Sequence, residues 1–125
     1  FERLFGEKIP NNKKNKISIA ENHAKKNLLT ILLKGEYDII TNGTKTLINS
    51  KKTPAMTVGG TGDVLSGLTA SMLSRNRNVI ESAASAAFLN GNAGKIIQKQ
   101  FGTHIIATDL IDAIPLAFKP FDKIK

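Results

Sequence analysis

These 125 residues contain no cysteine and no tryptophan, and only one tyrosine and six phenylalanines. Without cysteine there is no disulfide framework, no thiolate metal site and no thiol nucleophile, a composition that suits a reducing cytoplasm. No apolar run approaches the ~20 residues of a membrane span, and no signal-peptide pattern opens the chain, so a soluble, cytoplasmic protein with no membrane partner is expected. Acidic residues are also scarce: 10 Asp and Glu against 18 Lys and Arg leave a formal net charge of +8. Such a charge raises nucleic acid as a partner. It is spread along the chain, however, and its densest cluster, Lys13, Lys14 and Lys16, falls in a polar, Asn-rich stretch. With aromatics at 6% there is no stacking platform, zinc-finger spacing or recognition helix, so no specific nucleic acid is expected. The cluster reads as a solvated basic loop, with steering of an anionic ligand as its functional alternative. Missing too are a metal-cage spacing of His, Asp and Glu, a Gly-x-Ser-x-Gly elbow, a GxGxxG fingerprint and a GxxxxGK[ST] loop. Rossmann and P-loop assignments are thereby excluded.

What is present begins with Gly59-Gly60-Thr61-Gly62-Asp63-Val64-Leu65-Ser66-Gly67. Three glycines and a threonine deliver a carboxylate to the start of an apolar helix. Glycine permits φ > 0 and close approach of the backbone to a ligand, a freedom expected at Gly62. The free N–H groups and positive dipole end of the helix attract phosphate oxygens. Asp63 reads in two ways. A carboxylate beside bound phosphate is repelled unless it accepts a proton or holds a cation, so it implies chemistry; equally, Asp is a favoured helix cap.

With 41% hydrophobic residues the chain has enough for one domain with a core. Its organisation reads as an α/β layer. Phe1 to Phe5 form the end of a helix stopped by Gly6, and Glu7 to Lys16 a polar connector. Ser18 and Glu21 have capping-box spacing, which predicts a helix from about Ile19 to Lys26 carrying an exposed His23. Leu28 to Leu33 is a continuous apolar run suited to a strand buried on both faces. Strands at Tyr37 to Thr41 and Lys45 to Asn49 flank Asn42-Gly43, the preferred two-residue hairpin turn. After the glycine loop Val64, Leu65, Leu68, Met72 and Leu73 recur at helical spacing, with Arg75 and Arg77 near the end where cations are favoured. Asn78 and Glu81 repeat the capping spacing ahead of a long helix from about Val79 to Gln100, ended by Gly102. Its small residues, Ala83, Ala84, Ala86, Ala87, Gly91, Ala93 and Gly94, imply tight helix packing, with one wall of a nucleotide pocket as the functional addition. His104, before Ile105 and Ile106, reads as a neutral imidazole at an element's edge.

Pro54-Ala55-Met56-Thr57-Val58 leads into the glycine loop and Leu68-Thr69-Ala70-Ser71-Met72-Leu73 follows it. This stretch resembles the signature of the ADP-dependent NAD(P)H-hydrate dehydratases, members of the ribokinase-like superfamily. Leu33-Lys34-Gly35-Glu36-Tyr37-Asp38-Ile39-Ile40 is similar to the family's Lys-Gly strand, and Ala107-Thr108-Asp109-Leu110-Ile111-Asp112-Ala113-Ile114-Pro115 to its terminal helix. Phe1-Glu2-Arg3-Leu4 resembles the tail of the family's Thr-Pro-His-x-Gly-Glu-Phe-x-Arg-Leu motif. The resemblance therefore implies the C-terminal part of a three-layer α/β/α ribokinase-like domain, residues 1–125 being one portion of a single domain about twice as long. The family's substrate-binding His would lie before Phe1. Asn90 stands where the family often carries a His, a departure that puts a polar contribution from that position in doubt.

The resemblance further implies the reaction: dehydration of (6S)-NADHX or NADPHX to NADH or NADPH, with ADP converted to AMP and phosphate. Asp63 would act as catalytic base and contact the substrate. Gly60, Thr61 and Gly62 would offer N–H groups to the phosphoryl group, and Lys34, Gly35, Glu36, Tyr37 and Asp38 would form part of the adenosine-phosphate site. ADP is implied as co-substrate and Mg2+ as its companion, with no metal ligand set readable. The implied partners are NADHX or NADPHX with ADP, and a homo-oligomer or the N-terminal half of the domain. Three other readings stay open: a ribokinase-like kinase that uses ATP on a small alcohol, a nucleotide-binding fragment inactive alone, and a basic polyanion-binding protein.

Overall fold

The computed structural model describes residues 1–75 and 78–123, so Arg77 lies outside the described residues. The chain divides into two compact units, Phe1–Asn49 and Ser50–Lys125, each built around its own contacts.

The first unit opens with a single helical turn, α1 (Glu2–Phe5), ended as expected by Gly6 in the left-handed region at φ 70. The next helix, α2, runs Lys13–Asn27, six residues earlier than the Ser18–Glu21 spacing predicts. Asn12 is the reason. Its side chain accepts a hydrogen bond from the Asn15 N–H at 3.2 Å, satisfying one donor of the first turn, while Ser18 lies within the helix. Its end also differs from expectation. Leu28 is not in a strand; it takes the left-handed cap conformation at φ 53 and stands 94% exposed. The β1 strand is left with three half-buried residues, Ile31–Leu33.

The other two strands match their expected positions: β2 is Asp38–Thr41 and β3 is Thr46–Asn49. The three form an antiparallel sheet in the order β1-β2-β3, with Leu32 opposite Ile40 and Ile39 opposite Ile48. The central strand β2 is buried along its whole length, and α2 packs against it. The hairpin is offset by one residue from the Asn42-Gly43 pair. Thr41 pairs with Thr46, Asn42 N–H donates to the Lys45 carbonyl, and Gly43 is the residue with positive φ, at 84. A Cβ on Gly43 would lie 2.6 Å from Lys25, so the turn also needs glycine to lie against α2.

His23 corrects a second expectation, because it is not an exposed bystander. Its ring sits 4.4 Å from that of Phe5 and 5.2 Å from that of Phe1, and Nε2 lies 2.7 Å from Glu7. It ties α1 and the connector onto α2.

The second unit is helical. A 3₁₀ turn, Pro54–Thr57, leads into α3 (Thr61–Arg75), followed by α4 (Val79–Phe101) and α5 (Ala107–Phe118). Asn78 caps α4 by accepting from the Glu81 N–H at 3.3 Å, and Gly102 ends it at φ 66. The small residues of α4 do pack tightly. Ala86, Ala87 and Ala93 are wholly or almost wholly buried, and a Cβ on Gly91 or Gly94 would collide with the Lys51 carbonyl or the Met56 side chain. Asp109 starts α5 by accepting from the Ile106 N–H at 2.8 Å. Leu65, Leu68, Ile97, Leu110 and Ala113 form the core between the three helices.

Candidate functional site

The glycine loop is shaped by Gly60 and locked by Thr61. Gly60 carries the positive φ, 86, whereas Gly62, where it was expected, is already within α3. A Cβ on Gly60 would lie 2.8 Å from that of Ala107, so the loop rests directly on the start of α5. Thr61 is buried, and its hydroxyl is within hydrogen-bond distance, 3.1 Å, of both the Met56 and the Val58 carbonyls. That side chain holds the 3₁₀ turn against the helix and is directed to the protein's own backbone. The Gly60 carbonyl accepts the first helical bonds, from Asp63 and Val64. The N–H groups of the residues ahead of Asp63 are therefore the ones the helix itself does not engage. No atom lies within 4 Å of where a Gly59 Cβ would be, which leaves room for a ligand beside the loop.

Asp63 is exposed on the first turn of α3, and its carboxylate has no hydrogen-bond or ion-pair partner among the described residues. It makes no capping bond. Its place in the first turn still favours the helix dipole, so both readings, helix-start charge and chemical group, stay open.

Asp63 stands on an open cleft of about 490 Å³ between α3 and α5. Gly60 and Gly67 floor one side, Val64 and Leu68 of α3 face Ile111 and Ile114 of α5, and Thr108 adds a second polar group. A helix start can hold a phosphate and apolar walls a flat organic group, with the carboxylate placed beside them as a proton acceptor. The sequence reading missed Thr108, Ile111 and Ile114 as lining residues. Their signal was the resemblance of residues 107–115 to the family's terminal helix, which carried no residue-level role.

The predicted Lys34–Asp38 group belongs to the first unit. Lys34, Gly35 and Glu36 form the exposed turn between β1 and β2, and Tyr37 is half-buried at its end. Asp38 is different. It is 1% exposed, and its Oδ2 accepts from Asn49 Nδ2 at 3.1 Å across the β2–β3 pair. His104 is exposed in the α4–α5 connection, away from the cleft lining. Asn90 is 3% exposed with no hydrogen-bond partner for Oδ1 among the described residues. Among the described residues no three His, Asp or Glu side chains converge to hold a metal ion, and no helix is long and apolar enough to cross a membrane.

The family model for NAD(P)H-hydrate dehydratase matches residues 1–116. The chain belongs to this family. It is 56% identical over 124 residues to the ADP-dependent (S)-NAD(P)H-hydrate dehydratase of Nitrosopumilus maritimus, covering 99% of this chain and 43% of that protein. It is 41% identical over 121 residues to a bifunctional NAD(P)H-hydrate repair enzyme of Pyrobaculum aerophilum, covering 97% of this chain and 24% of the relative. Among solved structures it is similar to the ADP/ATP-dependent NAD(P)H-hydrate dehydratase of Bacillus subtilis co-crystallised with ATP/Mg2+ and soaked with CoA. The TM-score is 0.88 at 26% identity, over 98% of this chain and 46% of that one. The chain thus spans less than half the length of the relatives it matches. It adopts the C-terminal part of the ribokinase-like α/β fold.

Proposed function

We propose that this chain is the nucleotide- and base-bearing part of a single ribokinase-like domain that repairs hydrated nicotinamide cofactors. The reaction is ADP-dependent dehydration of (6S)-NADHX or NADPHX in the cytoplasm. The observation that carries the reading is Asp63: an exposed, unpartnered carboxylate on the first turn of a helix whose glycine start opens onto a cleft.

In this reading Asp63 takes the proton of the substrate's C6 hydroxyl as its oxygen attacks the β-phosphorus of ADP, and AMP departs. The backbone N–H groups of Gly60, Thr61 and Gly62 meet the charge that builds on the transferred phosphoryl group. Phosphate then leaves C6 and a proton leaves C5, restoring the ring double bond. Thr61 also acts indirectly, its hydroxyl holding the turn so that those N–H groups stay aimed. Lys34, Gly35, Glu36 and Tyr37 contribute to the adenosine-phosphate site. Asp38, with Oδ2 accepting from Asn49, closes that segment. Mg2+ bound with the diphosphate would supply charge neutralisation for its oxygens. The substrate's remaining contacts come from the N-terminal half that the relatives possess.

The test joins this chain to the N-terminal portion of the N. maritimus relative and supplies hydrated NADH with ADP or ATP. NADH should reappear in its near-ultraviolet absorbance, with one phosphate released per cofactor repaired. A joined protein that ignores hydrated NADH yet phosphorylates a small alcohol from ATP would transfer the assignment to a kinase.

A further inference from the structure

Tyr37 has two lysines on its ring. Lys13 Nζ lies 4.8 Å and Lys16 Nζ 5.8 Å from the ring centroid. The contact explains where two of the chain's basic residues sit, but not why both are there. Two ammonium groups against one ring repel each other, and each lies in the first turns of α2, where the positive end of the helix dipole disfavours cations. No acidic residue occupies the first turn of α2, and neither ammonium has a carboxylate within salt-bridge distance among the described residues. Tyr37 Oη is itself buried without a hydrogen-bond partner among the described residues. Positive charge is thus gathered at one aromatic ring against its own repulsion, with no anion from the protein to answer it. The sequence placed Lys13 and Lys16 in a solvated loop; they are instead helical and fixed on a ring that belongs to the Lys34–Asp38 segment.

We infer that Lys13 and Lys16, held by Tyr37, form an anion clamp for a phosphate group of a bound nucleotide. Two ammoniums supply charge to a phosphate without the directional fork of arginine, and the ring limits how far either can swing away. The inference rests on the proposed nucleotide-binding role of the Lys34–Asp38 segment and extends that site onto α2.

The test is calorimetry on the full chain with ADP, adenosine and a 2′-phosphorylated dinucleotide (NADP+) as probes. Lys13→Gln/Lys16→Gln should weaken the phosphate-bearing probe that uses the clamp by roughly tenfold and flatten the salt dependence of its affinity, leaving adenosine within two-fold. Whichever of ADP and NADP+ responds identifies the phosphate concerned. Lys25→Gln/Lys26→Gln, at the far end of α2, makes the same change in charge and should leave both probes within two-fold. Equal losses in the two double variants would reduce the effect to overall charge and overturn the clamp. So would unchanged affinity of the Lys13/Lys16 variant for both phosphate probes. If ADP binding then remained sensitive to substitution at Gly62, the proposed nucleotide site would stand without the clamp; a wild-type chain that binds neither phosphate probe would sink both.

Discussion

At the scale of single residues, function turns on Asp63 and on two of the three glycines before it, Gly60 and Gly62. Asp63 is exposed and makes no capping bond, so its removal should cost chemistry and little else. In the joined, active protein Asp63→Asn should hold ADP affinity within a few-fold while turnover falls by roughly 10²–10⁴, the range for a positioned general base. A fully active Asn variant would return Asp63 to the role of a helix-start charge. Gly60 and Gly62 should separate by cause. Gly60→Val places a β-branched side chain at φ 86 and against Ala107, so it should lower stability by about 1–3 kcal/mol in chemical denaturation. Gly62 is helical and carries no such conformational demand, so Gly62→Ala should keep the fold and weaken ADP by crowding the phosphate. Unchanged ADP affinity in a folded Gly62→Ala chain would remove the anion-cradle argument. The sequence showed that a glycine loop bearing a carboxylate was there. It could not show that Gly60 is the one that turns left-handed, nor that a side chain there would meet Ala107 at the start of α5. Asp38 was obscured in the same way. Its position in the Lys-Gly segment suggests a ligand contact, and only the β2–β3 register reveals Asn49 as its partner.

Elements were legible where the signal was local and obscure where two local signals competed. Asn78 with Glu81 located the start of α4, and the Asn78 side chain accepts from the Glu81 N–H as that spacing predicts. On α2 the Ser18–Glu21 spacing was real, but Asn12 lies upstream and wins, since beginning earlier adds backbone hydrogen bonds to the same helix. The apolar run from Leu28 misled for a related reason. Length and hydrophobicity argued for a strand, whereas the chain uses Leu28 and Leu29 to leave α2 and turn. The packing of α4 yields a paired prediction. Gly91→Ala would force a Cβ into the Lys51 carbonyl and should lower stability by about 1–3 kcal/mol, the usual cost of overpacking. Gly67→Ala, in the middle of α3 with nothing within 4 Å of the new Cβ, should instead raise it by about 0.5–1 kcal/mol. Thermal unfolding of the two variants beside the parent checks both signs; equal behaviour would mean that the small residues of α4 are not there for close approach.

For the whole molecule the decisive fact is coverage: the chain matches its relatives over nearly all of its own length and less than half of theirs. It also carries apolar side chains that its own fold leaves in water, with Leu28 94%, Leu4 74% and Ile106 64% exposed. Scattered aliphatics are ordinary on a surface and by themselves identify no partner. On the function proposed above, the N-terminal half of the relatives would supply the remaining substrate contacts. The chain alone is accordingly expected to bind ADP or AMP weakly and to leave hydrated NADH untouched. Mixed with the N-terminal portion of the N. maritimus relative, it should form a one-to-one complex by sedimentation or light scattering, and ADP-dependent NADH recovery should rise with the fraction of complex. Stable self-association without gain of turnover on mixing would favour a homo-oligomer as the occupant of those surfaces. Full dehydratase activity from the 125 residues alone would show that the cleft at Asp63 needs nothing from the N-terminal half, and the half-domain reading would fall.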